Sequence, residues 1–266
     1  MKNKFCFFLF LMPLIGAGQS NLLSSLLKTT PAANSELIQK KIVGFVSLQQ
    51  AKQAKSKSEI KFLHSLFNES HRKFLKHYKP YSQFSEPFES GHYDCLSGTA
   101  FFSLMLESLQ MDYKIIETNY HIFLLVETRE GQVLLETTDR FFGFKTNPLE
   151  IDKRLKEYKE NLLVTSHRKI HYYHYQPKLF REIKSTQLSG LLYFNQAVVS
   201  YNNRDWEQCV YHLEKARFIY DNTRVSELIH LLIETISHID LNERSKQELL
   251  IHLSPFVTDL PVLAGR

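Results

Sequence analysis

Cys95 stands in the run Gly91-His92-Tyr93-Asp94-Cys95-Leu96-Ser97-Gly98-Thr99-Ala100, directly ahead of a strongly apolar stretch. A cysteine there occupies the first turn of a helix, where free backbone N–H groups and the positive end of the helix dipole both favour a thiolate. Downstream come His121, opening one strand-like run, and Glu136 and Asp139, ending the next. The order is nucleophile, base, orienting carboxylate. Thiol chemistry on a carbonyl needs those three: sulfur to attack, imidazole to shuttle the proton, and a group that fixes the imidazole's tautomer and direction. A helix start also supplies one oxyanion donor, the Cys95 N–H, and Tyr93 is a candidate for lining the same pocket. The plainer reading is that Cys95 packs a helix and His121 is a satisfied strand residue, so the elements around them decide.

Cys95 to Leu109 is apolar almost all round, the pattern of a helix buried on most sides. The period then changes to strands: Tyr113 to Thr118, His121 to Thr128 and Gln132 to Thr137 are short β-branched and aromatic runs, with a hairpin signal at Arg129-Glu130-Gly131. A buried helix against an antiparallel sheet is an α+β arrangement. The third site residue depends on register. A three-residue turn pairs Thr128 with Gln132 and sets Asp139 opposite His121, whereas a two-residue turn gives the shared face to Glu136, Thr138 and Arg140. Helices flank this unit: Glu36 to Ala54, capped from Asn34 or Ser35, Ser58 to His77, and Leu149 to Leu163. Ile170 to Tyr175 reads as one more strand or an extended arm.

The motifs Tyr93-Asp94-Cys95-Leu96-Ser97-Gly98-Thr99-Ala100, Tyr120-His121-Ile122-Phe123-Leu124 and Leu135-Glu136-Thr137-Thr138 resemble the core of the transglutaminase-like, papain-fold superfamily of cysteine enzymes. The likeness covers roughly residues 58 to 144 and is nearest to exported bacterial members with a helical tail. It implies a papain/transglutaminase-like domain with Cys95 as nucleophile, His121 as general base and acid, and a carboxylate of the third strand as orienting group. Glu136 stands where the family carries its aspartate, which places it ahead of Asp139. The implied activity is hydrolysis of a peptide or isopeptide amide, or acyl transfer, with a peptide or protein substrate and no cofactor. The rival is a non-catalytic module that holds a partner peptide in the same cleft.

From Thr186 the chain reads as helix throughout, with Leu188 to Asn202, Asp205 to Tyr220 and Arg224 to Ile239 as successive amphipathic segments. The first two resemble a tetratricopeptide hairpin, with Tyr193 and Ala197 on one helix and Cys209, Leu213 and Ala216 on the other. One and a half units bury too little surface to stand alone, so this tail is expected to dock on the first domain and to offer a site for a protein partner.

The sequence has 266 residues, 43% hydrophobic and 13% aromatic, enough for a sizeable core. Lys2 and Lys4, an apolar run from Phe5 to Met12 and small residues to Gly18 have the form of a secretory signal, so the chain is expected to be exported, periplasmic or secreted, with no membrane span after cleavage. Loss of the two lysines takes the formal charge from +5 to +3, and the charge runs alternate in sign, so nucleic acid is not an expected partner. The mature chain keeps Cys95 and Cys209, read as two free thiols. His167, His171 and His174 sit near one another, but a three-residue spacing on a strand puts His171 and His174 on opposite faces, and no metal site is expected. The organisation so read is a signal over 1–18, a helical segment over 19–57, the transglutaminase-like domain over 58–180 and the tetratricopeptide-like segment over 181–266.

Overall fold

The structure is a computed structural model and describes residues 17–119, 121–160 and 179–256. Most of the signal-like segment lies outside these residues, as do the Ile170 to Tyr175 run and His167, His171 and His174.

Three helices lead in: α1 (Ala17–Leu27), α2 (Ala32–Gln53) and α3 (Glu59–Lys73). Ser58 caps α3 with its side chain, which accepts from the Lys61 N–H at 3.2 Å. The cap expected for α2 at Asn34 or Ser35 is not used. Pro31, at φ −55°, holds the N-cap position instead, and the Asn34 amide donates to Glu89 at 2.8 Å; a proline's fixed φ sets the chain into the first turn without a side-chain cap.

Two short strands, β1 (His77–Tyr78) and β2 (His92–Tyr93), pair in parallel around α4 (Glu86–Glu89) and deliver the chain to α5 (Cys95–Ser108). After α5 come β3 (Tyr113–Thr118), β4 (Ile122–Thr128), β5 (Gly131–Leu135), β6 (Phe144–Lys145), α6 (Pro148–Glu160) and β7 (Phe180–Ile183). The five strands β3 to β7 form one antiparallel sheet in the order β6-β5-β4-β3-β7. The α+β class read from the sequence is therefore observed. Strand β7 lies within the range assigned to the two sides of the 180/181 boundary, and it belongs to the sheet.

Alternation along β4 splits its apolar residues between two layers. Ile122, Leu124 and Val126 join the main core with α5, whereas Phe123 and Leu125 join Ile116, Leu134 and Ile151 beneath α6. Burial on both faces is why β4 reads as a continuous apolar run. Helix α5 is buried for the matching reason: α1, β3, β4 and the tail surround it.

The tail is α7 (Leu188–Asn202), α8 (Trp206–Ile219), α9 (Thr223–His238) and α10 (Glu243–Leu253). Tyr193, Ala197, Cys209, Leu213 and Ala216 are all buried along α7 and α8, as the hairpin pattern requires, and Leu188, Leu191 and Leu192 continue into the core that holds Phe101 and Leu104. The tail is docked, as expected. A polar weld reinforces the apolar contact: Glu117 of β3, 2% exposed, accepts from Arg181 of β7 at 3.0 Å, from the Tyr220 hydroxyl at the end of α8, and faces Arg224 of α9 at 3.4 Å. No helix among the described residues is long and apolar enough to cross a membrane.

Candidate active site

Cys95 is the first residue of α5, and the local sequence explains why the helix starts there. Asp94 accepts from the Ser97 N–H at 2.8 Å while the Ser97 hydroxyl accepts from the Asp94 N–H at 2.9 Å, a reciprocal capping box. Gly98 then lets the helix approach the sheet: a Cβ built there lies 2.8 Å from Thr137 Oγ1 and 3.0 Å from Thr137 Cβ. That close approach brings the N-terminus of α5 to the ends of β4 and β5, where Thr99 Oγ1 donates to the Ile122 carbonyl at 3.3 Å and Thr137 Oγ1 to the Cys95 carbonyl at 3.5 Å.

His121 precedes β4 and is held by its neighbour across the turn. The Thr118 N–H and hydroxyl both donate to the His121 carbonyl, at 2.7 and 3.0 Å, and the His121 N–H reaches the same hydroxyl at 3.0 Å. The hairpin settles the register: Thr128 pairs with Gly131, a two-residue turn, and Leu124 with Leu135. Glu136 consequently lies on the His121 face, and its Oε1 meets His121 Nε2. Asp139 is elsewhere. Its carboxylate accepts from the Phe141 and Phe142 N–H groups at 3.2 and 2.9 Å, closing the turn that follows Glu136. Gly143 fits inside that turn, since a Cβ there would fall 2.1 Å from the Glu136 carbonyl, and the Gly143 carbonyl accepts from the Glu136 N–H at 2.7 Å.

Glu136 is buried and fully engaged. Its second oxygen accepts from the Tyr158 hydroxyl, and Thr138 Oγ1 donates to the first at 3.1 Å. Burial pushes its pKa up, but the hydrogen bond and charge of His121, with the two hydroxyls, outweigh that and hold the carboxyl below its ordinary range. Tyr158 was not singled out in the sequence. It comes from α6, its ring stacks on Phe123 at 4.8 Å and tilts over His121 at 5.5 Å, and burial followed by the Glu136 charge raises its phenol so that it remains a donor. The signal for it was the spacing Ile151, Leu155, Tyr158, one face of a helix. Tyr93, the candidate for the oxyanion pocket, is a core residue instead, 5% exposed and edge-on to His71.

By strand alternation His121 falls on the α6 face of the sheet, whereas α5 packs the other. Cys95 and His121 nevertheless line one cleft of about 330 Å³ at the end of the sheet. The Ile122 and Leu96 N–H groups face the Cys95 sulfur and favour its thiolate, yet burial, then the Asp94 and Glu136 charges, push the thiol up to about 12. Desolvation beside two carboxylates thus opposes the thiolate that the helix N-terminus favours. The far wall of the cleft comes from the tail, with Leu191, Phe194 and Val198 of α7 and Arg224 of α9, and its rim from Tyr78 and Tyr81.

Compared with known proteins, the chain matches no family model, no curated protein and no solved structure. Cys209, the other free thiol, is fully buried, with its sulfur 3.4 Å from the Ala197 carbonyl, and takes no part. Among the described residues no cluster of histidine, cysteine or carboxylate side chains is arranged to hold a metal.

Proposed function

We propose that the chain is an exported thiol enzyme of papain/transglutaminase-like type, acting on a peptide or isopeptide amide by hydrolysis or acyl transfer. The observation that carries this is that His121, hydrogen-bonded to Glu136, lines the same cleft as a cysteine at a helix start. With Nε2 donating to the carboxylate, Nδ1 holds the imidazole's lone pair and can take the thiol proton. Because the thiol rests protonated, attack and proton transfer are concerted steps: the sulfur–carbon bond forms as the proton passes to His121. The imidazolium, stabilised by Glu136, returns that proton to the leaving amine, and an acyl thioester remains for water or an amine to resolve.

The high thiol pKa favours one second reading, a peptide-holding module in which Cys95 only packs. Incubation with a protein digest and a free diamine separates the two. Mass spectrometry should find cleaved or amine-linked peptides with the wild type and none with Cys95→Ser; absence of both products with the wild type supports the binding module.

A further inference from the structure

Acyl transfer through Cys95 develops negative charge on the substrate carbonyl oxygen, and one backbone donor is seldom enough to hold it. The Cys95 N–H, beyond the reach of its own helix ladder, is the first donor. A second must come from a polar group on the cleft wall near the sulfur. Most wall groups are committed elsewhere. The Thr118 hydroxyl donates to the His121 carbonyl, and Arg224 spans Glu117 and the Asn119 carbonyl.

We propose that the Tyr78 hydroxyl is the second oxyanion donor, a catalytic residue contributed by β1; this rests on the thiol-enzyme reading above. Tyr78 and Cys95 line the same cleft, and the parallel register sets Tyr78 next to Tyr93, two residues before the nucleophile. Its hydroxyl has no hydrogen-bond partner among the described residues, and the residue is 61% exposed at the rim. The segment that carries it is pinned to the helix start. The Lys79 N–H donates to the Tyr93 carbonyl at 2.8 Å, the Ser82 N–H faces the Asp94 carboxylate, and Gln196 of α7 donates to the Tyr81 carbonyl at 3.2 Å. Partial burial, then the charges of Cys95 and Asp94, raise the phenol, so it is protonated when a carbonyl arrives. The Asp94 carboxylate thus starts the nucleophile's helix and anchors the loop that brings the donor.

Two reagents isolate the role. p-Nitrophenyl acetate acylates through a tetrahedral oxyanion: the sulfur–carbon bond forms, the carbonyl π pair moves to oxygen, the thiol proton goes to His121, and collapse expels p-nitrophenolate. Iodoacetamide alkylates the same sulfur by displacement of iodide, with no oxyanion. Tyr78→Phe should slow acylation of Cys95 by about tenfold or more while alkylation stays within about twofold. Equal losses in both reactions, or none in either, would overturn the assignment, as would a selective acylation loss in Asn195→Ala with Tyr78→Phe unaffected. A wild-type Cys95 that neither reagent modifies would instead remove the thiol-enzyme reading beneath it.

Discussion

The carboxylate of Glu136 does the same work on the molecule's stability as on the imidazole's direction. Its native pKa is depressed, so the stability it contributes is complete above the ordinary carboxylate value of about 4.3 and is lost as pH falls through the lower native value. Glu136→Gln should flatten that acid limb in a pH series of thermal unfolding. Tyr158→Phe should cost about 1.5–3 kcal/mol, the range for a hydrogen bond to a charged group. It should also move the acid transition to higher pH, because one of the groups holding the carboxyl down is gone. An acid transition unmoved by Tyr158→Phe would mean that the hydroxyl does not bear on Glu136. Cys95 carries a second pH signature. A thiol pushed up to about 12 gives no thiolate–imidazolium pair, so its alkylation rate should climb through neutral and alkaline pH without the acid-side plateau that a pKa of about 4 would produce.

At the scale of elements, the meeting of α5 with the ends of β4 and β5 depends on Gly98. Gly98→Ala puts a methyl group against Thr137 in a fully packed interior, and should cost about 1–3 kcal/mol and slow Cys95 alkylation as the helix start moves off the sheet. A stability loss with an unchanged Cys95 rate would separate packing from positioning. The helix start itself was legible in the sequence, because Asp94 and Ser97 form a capping box directly ahead of an apolar run. Strands β3 and β4 were legible for their β-branched pattern, and so were α7, α8 and α9. The hairpin register was not, since Arg129-Glu130 lacks the Asn-Gly or Asp-Gly chemistry that fixes a two-residue turn, and Glu136 and Asp139 consequently stayed in competition. Strand β7, Phe-Arg-Glu-Ile, carries two charges that serve the Glu117 weld and the sheet edge, which hid it from an alternation test. Tyr158 reaches Glu136 from 22 residues away, and Tyr78 reaches the cleft through a parallel pair two residues long; neither contact is local enough for periodicity to reveal.

At the scale of the whole molecule, the tail completes the cleft as well as the core, since α7 and Arg224 form its far wall. The weld at Glu117 ties the paired strands β3 and β7 to the α8–α9 junction. Glu117→Ala leaves Arg181, Arg224 and Tyr220 facing one another without their acceptor. It should destabilise the protein by about 3 kcal/mol, the lower end for a broken buried pair because both guanidinium groups keep part of their exposure. Chemical denaturation should show one transition for sheet and tail together, with a lower midpoint in the variant. Residues 186 to 266 expressed alone should fail to give a cooperative monomer, because Leu188, Leu191 and Leu192 would face water; each side chain is worth about 1.5–3 kcal/mol when buried. A stably folded tail would contradict the single shared core.

The central claim is that one cleft couples the Cys95 thiol to the His121 imidazole. Iodoacetamide labelling of the native protein at neutral pH, read at each cysteine by mass spectrometry in the wild type and in His121→Ala, tests it most directly. Cys95, open to the cleft, should label faster than the enclosed Cys209, and loss of the imidazole should slow Cys95 alone. Labelling of Cys95 no faster than Cys209, or indifferent to His121, would contradict the account and leave Cys95 a packing residue.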